Sequence, residues 1–399
     1  VRTMRENITG IRVVKSLSKE TYEKARFDKV NNEMAGNDRK AGIVMAMPGP
    51  IMTLFLNVGL TIVVILGAYR VNAGDIKPGV ILAFLTYFNM ILMGVMGLNR
   101  IFMMMSKANA SAARIEAVVN APDELTPISE AEAATTEREG YIVFDHVDFS
   151  YDLGEEREHN AQMFAGLSRE KCLTDIDFSI AKGGSLGIIG ATGSGKTTII
   201  NLLMRFYDAT EGHVFVDGKD VRTYDKDTLH RMFGVVFQND VIFADTLKEN
   251  ISFGRQMTLE EIRQAAEDAR AKEFIESYED GYDHEAVIHG ANLSGGQRQR
   301  TLIARALAAK PDILILDDSS SALDYKTDAA LRKAIRMHHK DATTIVVAQR
   351  ISSIMSLDHI MVLDEGKIIG YGTHEELLAT CPMYQDIYMT QMGEVKEGN

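Results

Sequence analysis

Residues 41–69, AGIVMAMPGPIMTLFLNVGLTIVVILGAY, hold no charged side chain, and neither do residues 78–99. About 20 apolar residues cross the hydrocarbon core of a bilayer as a helix, so each stretch is long enough to span. Buried core helices are the alternative reading, but those are usually shorter and more heavily flanked by charge. The expectation is two spans, at about 43–69 and 79–105. Arg39, Lys40, Arg100, Lys107 and Arg114 flank the ends away from the connecting loop RVNAGDIKPG (70–79). That bias puts those ends in the cytoplasm, against a smaller group, Arg70 and Lys77, on the other side. Two spans cannot enclose a pathway, and Val1 falls inside a helical pattern, so the chain is expected to be a fragment lacking earlier spans. No signal peptide is visible.

The net charge of −13 argues against a nucleic-acid-binding surface. Cys172 and Cys381 lack metal spacing and are expected as reduced cytosolic thiols. The methionines of the spans, Met45 to Met105, read as lipid-facing or packing residues, with an adaptable surface for varied apolar ligands as the other possibility. Ile8, Ile11, Val14 and Leu17 recur at helical spacing among charges, so residues 4–40 read as helix outside the membrane. After the second span the helical pattern continues through SKANASAARIEAVVN (106–120), and residues 1–120 thus form a partial transmembrane domain. Residues 121–140, with Pro122, Pro127 and SEAEAATTEREG, form a linker. From Tyr141 to Asn399, strand-like and helix-like segments alternate, which predicts an α/β domain with a largely parallel sheet. The polar, patternless residues 152–171 read as an exposed insertion in it.

SLGIIG leads into Gly190, Ala191, Thr192, Gly193, Ser194, Gly195, Lys196 and Thr197, a G-x-x-x-x-G-K-T loop, and then into the helical pattern from Thr198. Glycines let backbone N–H groups wrap a phosphate at a helix N-terminus. Lys196 offers a compact cation to the β- and γ-phosphates, and Thr197 a hydroxyl to Mg²⁺. The bland reading is a glycine-rich turn capping a helix, and the strand–loop–helix setting weighs against it. Asp317 ends the apolar run ILIL and is the expected partner of the metal. Tyr151 closes a strand-like segment and is a candidate for stacking on a base, although a strand-end tyrosine alone is more often core.

Ser294-x-x-Gln297 fits a capping box before a second amphipathic helix. Capping does not need Gly295 and Gly296 in the first turn, where each costs about 1 kcal/mol relative to Ala. They make sense where something approaches the backbone closely. Because the first loop already holds one end of the phosphates, this second site is expected to serve a nucleotide bound to another copy or a partner.

LSGGQ (293–297), with the phosphate loop upstream and ILILDD (313–318) downstream, resembles the nucleotide-binding domain of an ATP-binding-cassette (ABC) transporter. ENITGIRVVKSLSKE (6–20) is similar to the cytoplasmic coupling loop between spans four and five of the exporter-type members, and the apolar stretches to spans five and six. The resemblance implies α-helical transmembrane segments followed by an α/β P-loop NTPase domain of the ABC type. It implies ATP and Mg²⁺ as cofactors, a second half-transporter as partner, and two nucleotides sandwiched head to tail. It implies a multi-pass protein of the plasma membrane, with the nucleotide domain in the cytoplasm, in contact with lipid. By the same resemblance Tyr151 matches the adenine-stacking aromatic, Gln238 in VVFQND the glutamine that senses Mg²⁺ and the spans, and SALD (321–324) a dimer-contacting loop.

Three departures stand out. Active members usually carry Glu where this chain has Asp318, and His where VVAQR has Gln349. The segment HEAVIHGANLSGGQ lacks the usual TEVGERG-like run before the signature. One lost methylene withdraws a carboxylate by roughly 1.5 Å, and a general base must lie within hydrogen-bond reach of the attacking water. The expectation is an ATP site that binds but turns over slowly, beside an intact signature that completes a partner's site, as in one half of a heterodimeric exporter. A homodimeric exporter with low ATPase, a nucleotide-gated regulator and a soluble ATP-driven clamp are the competing readings. The cargo, a small molecule, lipid or peptide, is not legible.

Overall fold

The computed structural model describes residues 2–120, 125–151, 171–319 and 322–393. The expected insertion at 152–171 lies outside these except for Lys171, as do residues 121–124 of the expected linker and Ser321 of the SALD segment. The chain divides into two compact units, Val1–Pro122 and Asp123–Asn399.

The first unit is helical: α1 (Arg2–Thr9), α2 (Ile11–Ser16), α3 (Glu20–Ala46), α4 (Pro48–Asn72) and α5 (Pro78–Val119). Met47, between α3 and α4, keeps right-handed helical angles and bonds back to the Ile43 carbonyl, so the two form one run of 53 residues. At about 1.5 Å per residue that run is roughly 80 Å long, against a hydrocarbon core of about 30 Å. Its charged first half, Glu20 to Lys40, therefore extends beyond the apolar layer that the half after Ala41 can occupy. Likewise α5 continues past residue 105 to Val119 without a break. Ala108, Ala110, Ala112, Ala113 and Ala117 are strong helix formers, and no glycine or proline intervenes before Pro122.

Small residues let α4 and α5 approach. A Cβ on Gly67 would stand 2.8 Å from Ile81 Cγ1, and one on Gly59 would stand 3.0 Å from the Phe88 ring. Val44, Phe55, Tyr87 and Met93 remain exposed, apolar surface that suits lipid or further helices.

The second unit contains two sheets. An antiparallel sheet has the order β2–β1–β4–β5, from β1 (Ile142–Phe149), β2 (Leu173–Ile180), β4 (Glu211–Val216) and β5 (Lys219–Asp220). The other has the order β10–β9–β3–β8–β7–β6, from β3 (Ser185–Gly190), β6 (Phe233–Val236), β7 (Ile313–Asp317), β8 (Thr343–Val347), β9 (His359–Asp364) and β10 (Lys367–Gly372). It is parallel except for β10. Every residue of β7 and β8 is buried, as befits strands covered on both faces. Alternation divides them between two cores. Ile313 and Ile315 join Ile188, Ile345 and α6 (Lys196–Leu203) on one side. Leu314 and Leu316 join α7 (Leu259–Asp268) and α8 (Gly295–Ala308) on the other. Then α9 (Tyr325–His338), α10 (His374–Thr380) and α11 (Pro382–Met392) complete the unit.

Substituting Gly67 by Val should wedge α4 from α5 and destabilise the detergent-solubilised protein by about 1–3 kcal/mol. Adding Ile81→Ala should recover part of the loss, as read from thermal melts of the single and double variants.

Candidate functional site: a phosphate-loop cleft

Parallel α/β sheets gather ligands at the carboxyl ends of their strands, and here the ends of β3, β7 and β8 border a cleft of about 570 Å³. The loop after β3 is built on glycine for steric reasons internal to the fold. A Cβ on Gly190 would lie 2.0 Å from the Leu363 carbonyl oxygen of β9, and one on Gly195 would lie 2.5 Å from Leu173 Cδ2. Gly193 and Gly195 also take φ of +85° and +101°, in the left-handed region that side chains avoid. Gly190, Ala191, Thr192, Gly193 and Gly195 to Thr198 line the cleft, while the Ser194 side chain is buried beneath the loop.

Lys196 Nζ donates to the carbonyls of Gly190 (2.9 Å) and Ala191 (2.7 Å). Burial holds its ammonium below the usual lysine range, with Asp317 and Asp318 opposing that shift. Thr197 Oγ1 donates to Asp317 Oδ2 at 3.1 Å. Asp317 is only 2% exposed, and burial raises its carboxyl above the usual range despite the Thr197 bond. A buried carboxylate beside a hydroxyl at the start of a helix is a hard-oxygen donor set that fits a Mg²⁺ carried by a phosphate. Gln238, after β6, lines the same cleft.

Asp318 leaves β7 with φ of +50°, a conformation that Asp tolerates better than bulkier residues. Its N–H donates to the Val347 carbonyl at 2.9 Å, and its Oδ2 accepts a 2.7 Å hydrogen bond from Gln349 Nε2. Burial raises this carboxyl too, and the Gln349 bond partly offsets it. The two positions singled out as departures therefore meet in the cleft.

Tyr151 is not among the residues lining the cleft. Its ring packs edge-on against Phe149 and Tyr207, and its hydroxyl lies 3.2 Å from Thr198 Oγ1. The signature segment is not part of the cleft either. Ser294 Oγ accepts from the Gln297 N–H, and Gln297 Oε1 accepts from the Ser294 N–H, closing the capping box on α8. A Cβ on Gly295 or Gly296 would come no closer than 3.6 or 3.4 Å to any neighbour, which is ordinary contact. Unlike the phosphate loop, this turn does not need glycine in order to fold. Gly295 is exposed and Gly296 half-buried.

Sequence reasoning missed two parts of the cleft. Cys172 lines it, as do Met383, Ile387 and Gln391 of α11. The spacing of four in PMYQDIYMTQM marks one helical face, but nothing in the sequence ties that face to a loop two hundred residues upstream.

Comparison with known proteins agrees with this architecture. Residues 173–321 match the ABC transporter family, and residues 1–96 match the ABC transporter transmembrane region. An uncharacterized ABC transporter ATP-binding protein of Mycobacterium bovis is 35% identical over 396 residues, covering 98% of this chain and 65% of the relative. An ATP-dependent lipid A-core flippase of Syntrophus aciditrophicus is 33% identical, covering 99% and 63%. This chain thus spans just under two thirds of the length of these relatives. The structure of a bacterial Atm1-family ABC exporter with ATP bound superposes with a TM-score of 0.84 at 28% identity, over 98% of this chain and 66% of that one. The chain belongs to the ABC transporter family, as a transmembrane helical region followed by an α/β nucleotide-binding domain.

Proposed function

We propose that this chain is one half of a dimeric ABC exporter of the plasma membrane, and that its own ATP site binds nucleotide but hydrolyses it slowly. The observation that carries the reading is the 2.7 Å bond from Gln349 Nε2 to Asp318 Oδ2 at the edge of the Lys196 cleft. Bound Mg²⁺–ATP would supply the electrophilic γ-phosphate and the charge that compensates it. Thr197 and Asp317 would hold the metal, with Gln238 beside them, and the loop from Gly190 to Thr198 would hold the phosphates. Lys196 would exchange two neutral carbonyl acceptors for anionic ones, a stronger class of bond.

Asp318 is the residue placed to take a proton from water. Its raised basicity favours that role, so reach is what limits it: the carboxyl group stands one methylene, roughly 1.5 Å, short of a glutamate's. Gln349 can orient Asp318 or donate to a phosphate, but it cannot relay a proton. Base catalysis contributes about 10² to 10⁴ in rate, and that is the scale of the deficit at this site.

The signature turn, exposed at Ser294 and Gly295 and half-buried at Gly296 and Gln297, supports the other half of the reading, because its unfilled backbone serves a nucleotide held by another subunit. That partner is a second half-transporter with Glu at the position of Asp318. Tyr151 would border the base through its contact with Thr198, without lining the cleft itself. The cargo is a small molecule, lipid or peptide, and the flippase relative adds weight to amphiphilic lipids.

In the assembled pair, Asp318→Ala should leave most of the steady-state ATPase, whereas Ser294→Ala or Gly295→Asp should abolish it. Equal losses would refute the assignment. A second test uses pH. Because burial raises the Asp317 carboxyl, the folded chain binds its proton more tightly than the unfolded chain, and stability falls as pH rises from the ordinary Asp value through the raised one. Asp317→Asn should therefore raise the melting temperature of the nucleotide-free protein at neutral pH. The gain should shrink on acidification, and the variant should lose Mg²⁺-dependent nucleotide binding.

A further inference from the structure

One face of α11 lines the cleft through Met383, Ile387 and Gln391, spaced four residues apart. The last of these does more than line it. Gln391 Nε2 donates to the Gln349 carbonyl at 2.6 Å, and Gln391 Oε1 accepts from the Ile351 N–H at 2.8 Å. A single side-chain amide thus grips both ends of the segment 349–351, just after β8 ends at Val347. Ile351 is fully buried, so its N–H has little access to water in place of that bond.

The arm that carries Gln391 is anchored independently of the segment it holds. Tyr384 is fully buried, its hydroxyl lies 2.7 Å from His374 Nδ1 of α10, and Gln385 Nε2 donates to the Leu378 carbonyl. Gln349, held through its backbone by α11, reaches Asp318 with its side chain.

We propose that Gln391 is a positioning residue of the nucleotide site, fixing the backbone at 349–351 so that the Gln349 amide is presented to the terminal phosphate. This rests on the reading of the cleft as an ATP site. A clamp of this kind acts on the end of the nucleotide that distinguishes ATP from ADP. A residue that merely packs α11 against the domain would weaken both nucleotides alike.

The test uses the full chain with its partner half in lipid nanodiscs, photolabelled with 8-azido-ATP in competition with ATP or ADP, the labelled chains being resolved by gel. Amide exchange across residues 349–353 is followed in parallel. Gln391→Ala should lower the preference for ATP over ADP by about five- to tenfold, the scale of one or two lost hydrogen bonds, with ADP competition unchanged. It should also speed exchange at Ile351 about tenfold with or without nucleotide. Gln391→Glu keeps the acceptor but not the donor, so it should retain protection at Ile351 and lose part of the ATP preference. Gln391→Ala added to Gln349→Ala should change the preference no further. Equal weakening of ATP and ADP, unchanged exchange at Ile351, or additive effects in the double variant would overturn the proposal. If the wild-type chain takes no label while Ile351 exchange still responds to Gln391→Ala, the ATP-site reading fails, and the clamp loses its role there.

Discussion

A carboxylate that is almost wholly buried at the end of a covered strand sets the terms for everything around it. Asp317 sits there because β7 is apolar on both faces and must stay inside, which brings its final residue to the rim of the sheet with little water. Ionised, it accepts from Thr197 Oγ1 at 3.1 Å among the described residues, and Lys196 is turned toward backbone carbonyls instead. Such a group is costly without a counter-charge, and its raised proton affinity is the measure of that cost. The same close packing dictates the loop: Gly190 passes so near the Leu363 carbonyl of β9 that no side chain fits. Sheet closure and phosphate loop are thus one steric solution, with the acid and the hydroxyl held ready for a cation.

The two glycine-bearing helix starts differ in physical origin. At α6 the glycines are demanded by the chain itself, through clashes and positive φ. At α8 they are not: the capping box closes with ordinary geometry, and the nearest atoms to a hypothetical Cβ lie at van der Waals distance. A residue that costs helix stability and that folding does not require is what the proposed contact with another subunit's nucleotide would account for. This is the physical asymmetry on which the proposal of a slow pocket beside a whole signature rests.

Much of this was legible in the sequence because it rests on local chemistry. The phosphate loop, the acids after ILIL and the Ser294–Gln297 box are short-range patterns whose spacing carries their geometry. The membrane helices were legible too: absence of charge marks where apolar solvent suits a helix, and the helical pattern of SKANASAARIEAVVN carries the second one on, as α5 does through its alanines to Val119. Tyr151 shows a limit. Its place after a strand is readable, but whether the ring faces a cleft or packs on Phe149 and Tyr207 depends on partners far along the chain. The same holds for Gln391, whose two bonds reach back some forty residues to the segment after β8.

Positions 318 and 349 are better understood as one linked unit than as two separate losses. The Asp318 N–H donates to the Val347 carbonyl, tying the end of β7 to that of β8, and the Gln349 side chain then turns back to the Asp318 carboxyl group. The φ of +50° at position 318 lies in the left-handed region, which Asp enters more readily than most residues. A neutral amide at 349 gives that acid a donor at every pH, which a histidine would do only in the tautomer or charge state that presents N–H toward it. In the proposed reading the pair lacks the reach and the proton exchange that fast turnover needs, and a donor that does not depend on pH would suit a pocket that retains its nucleotide.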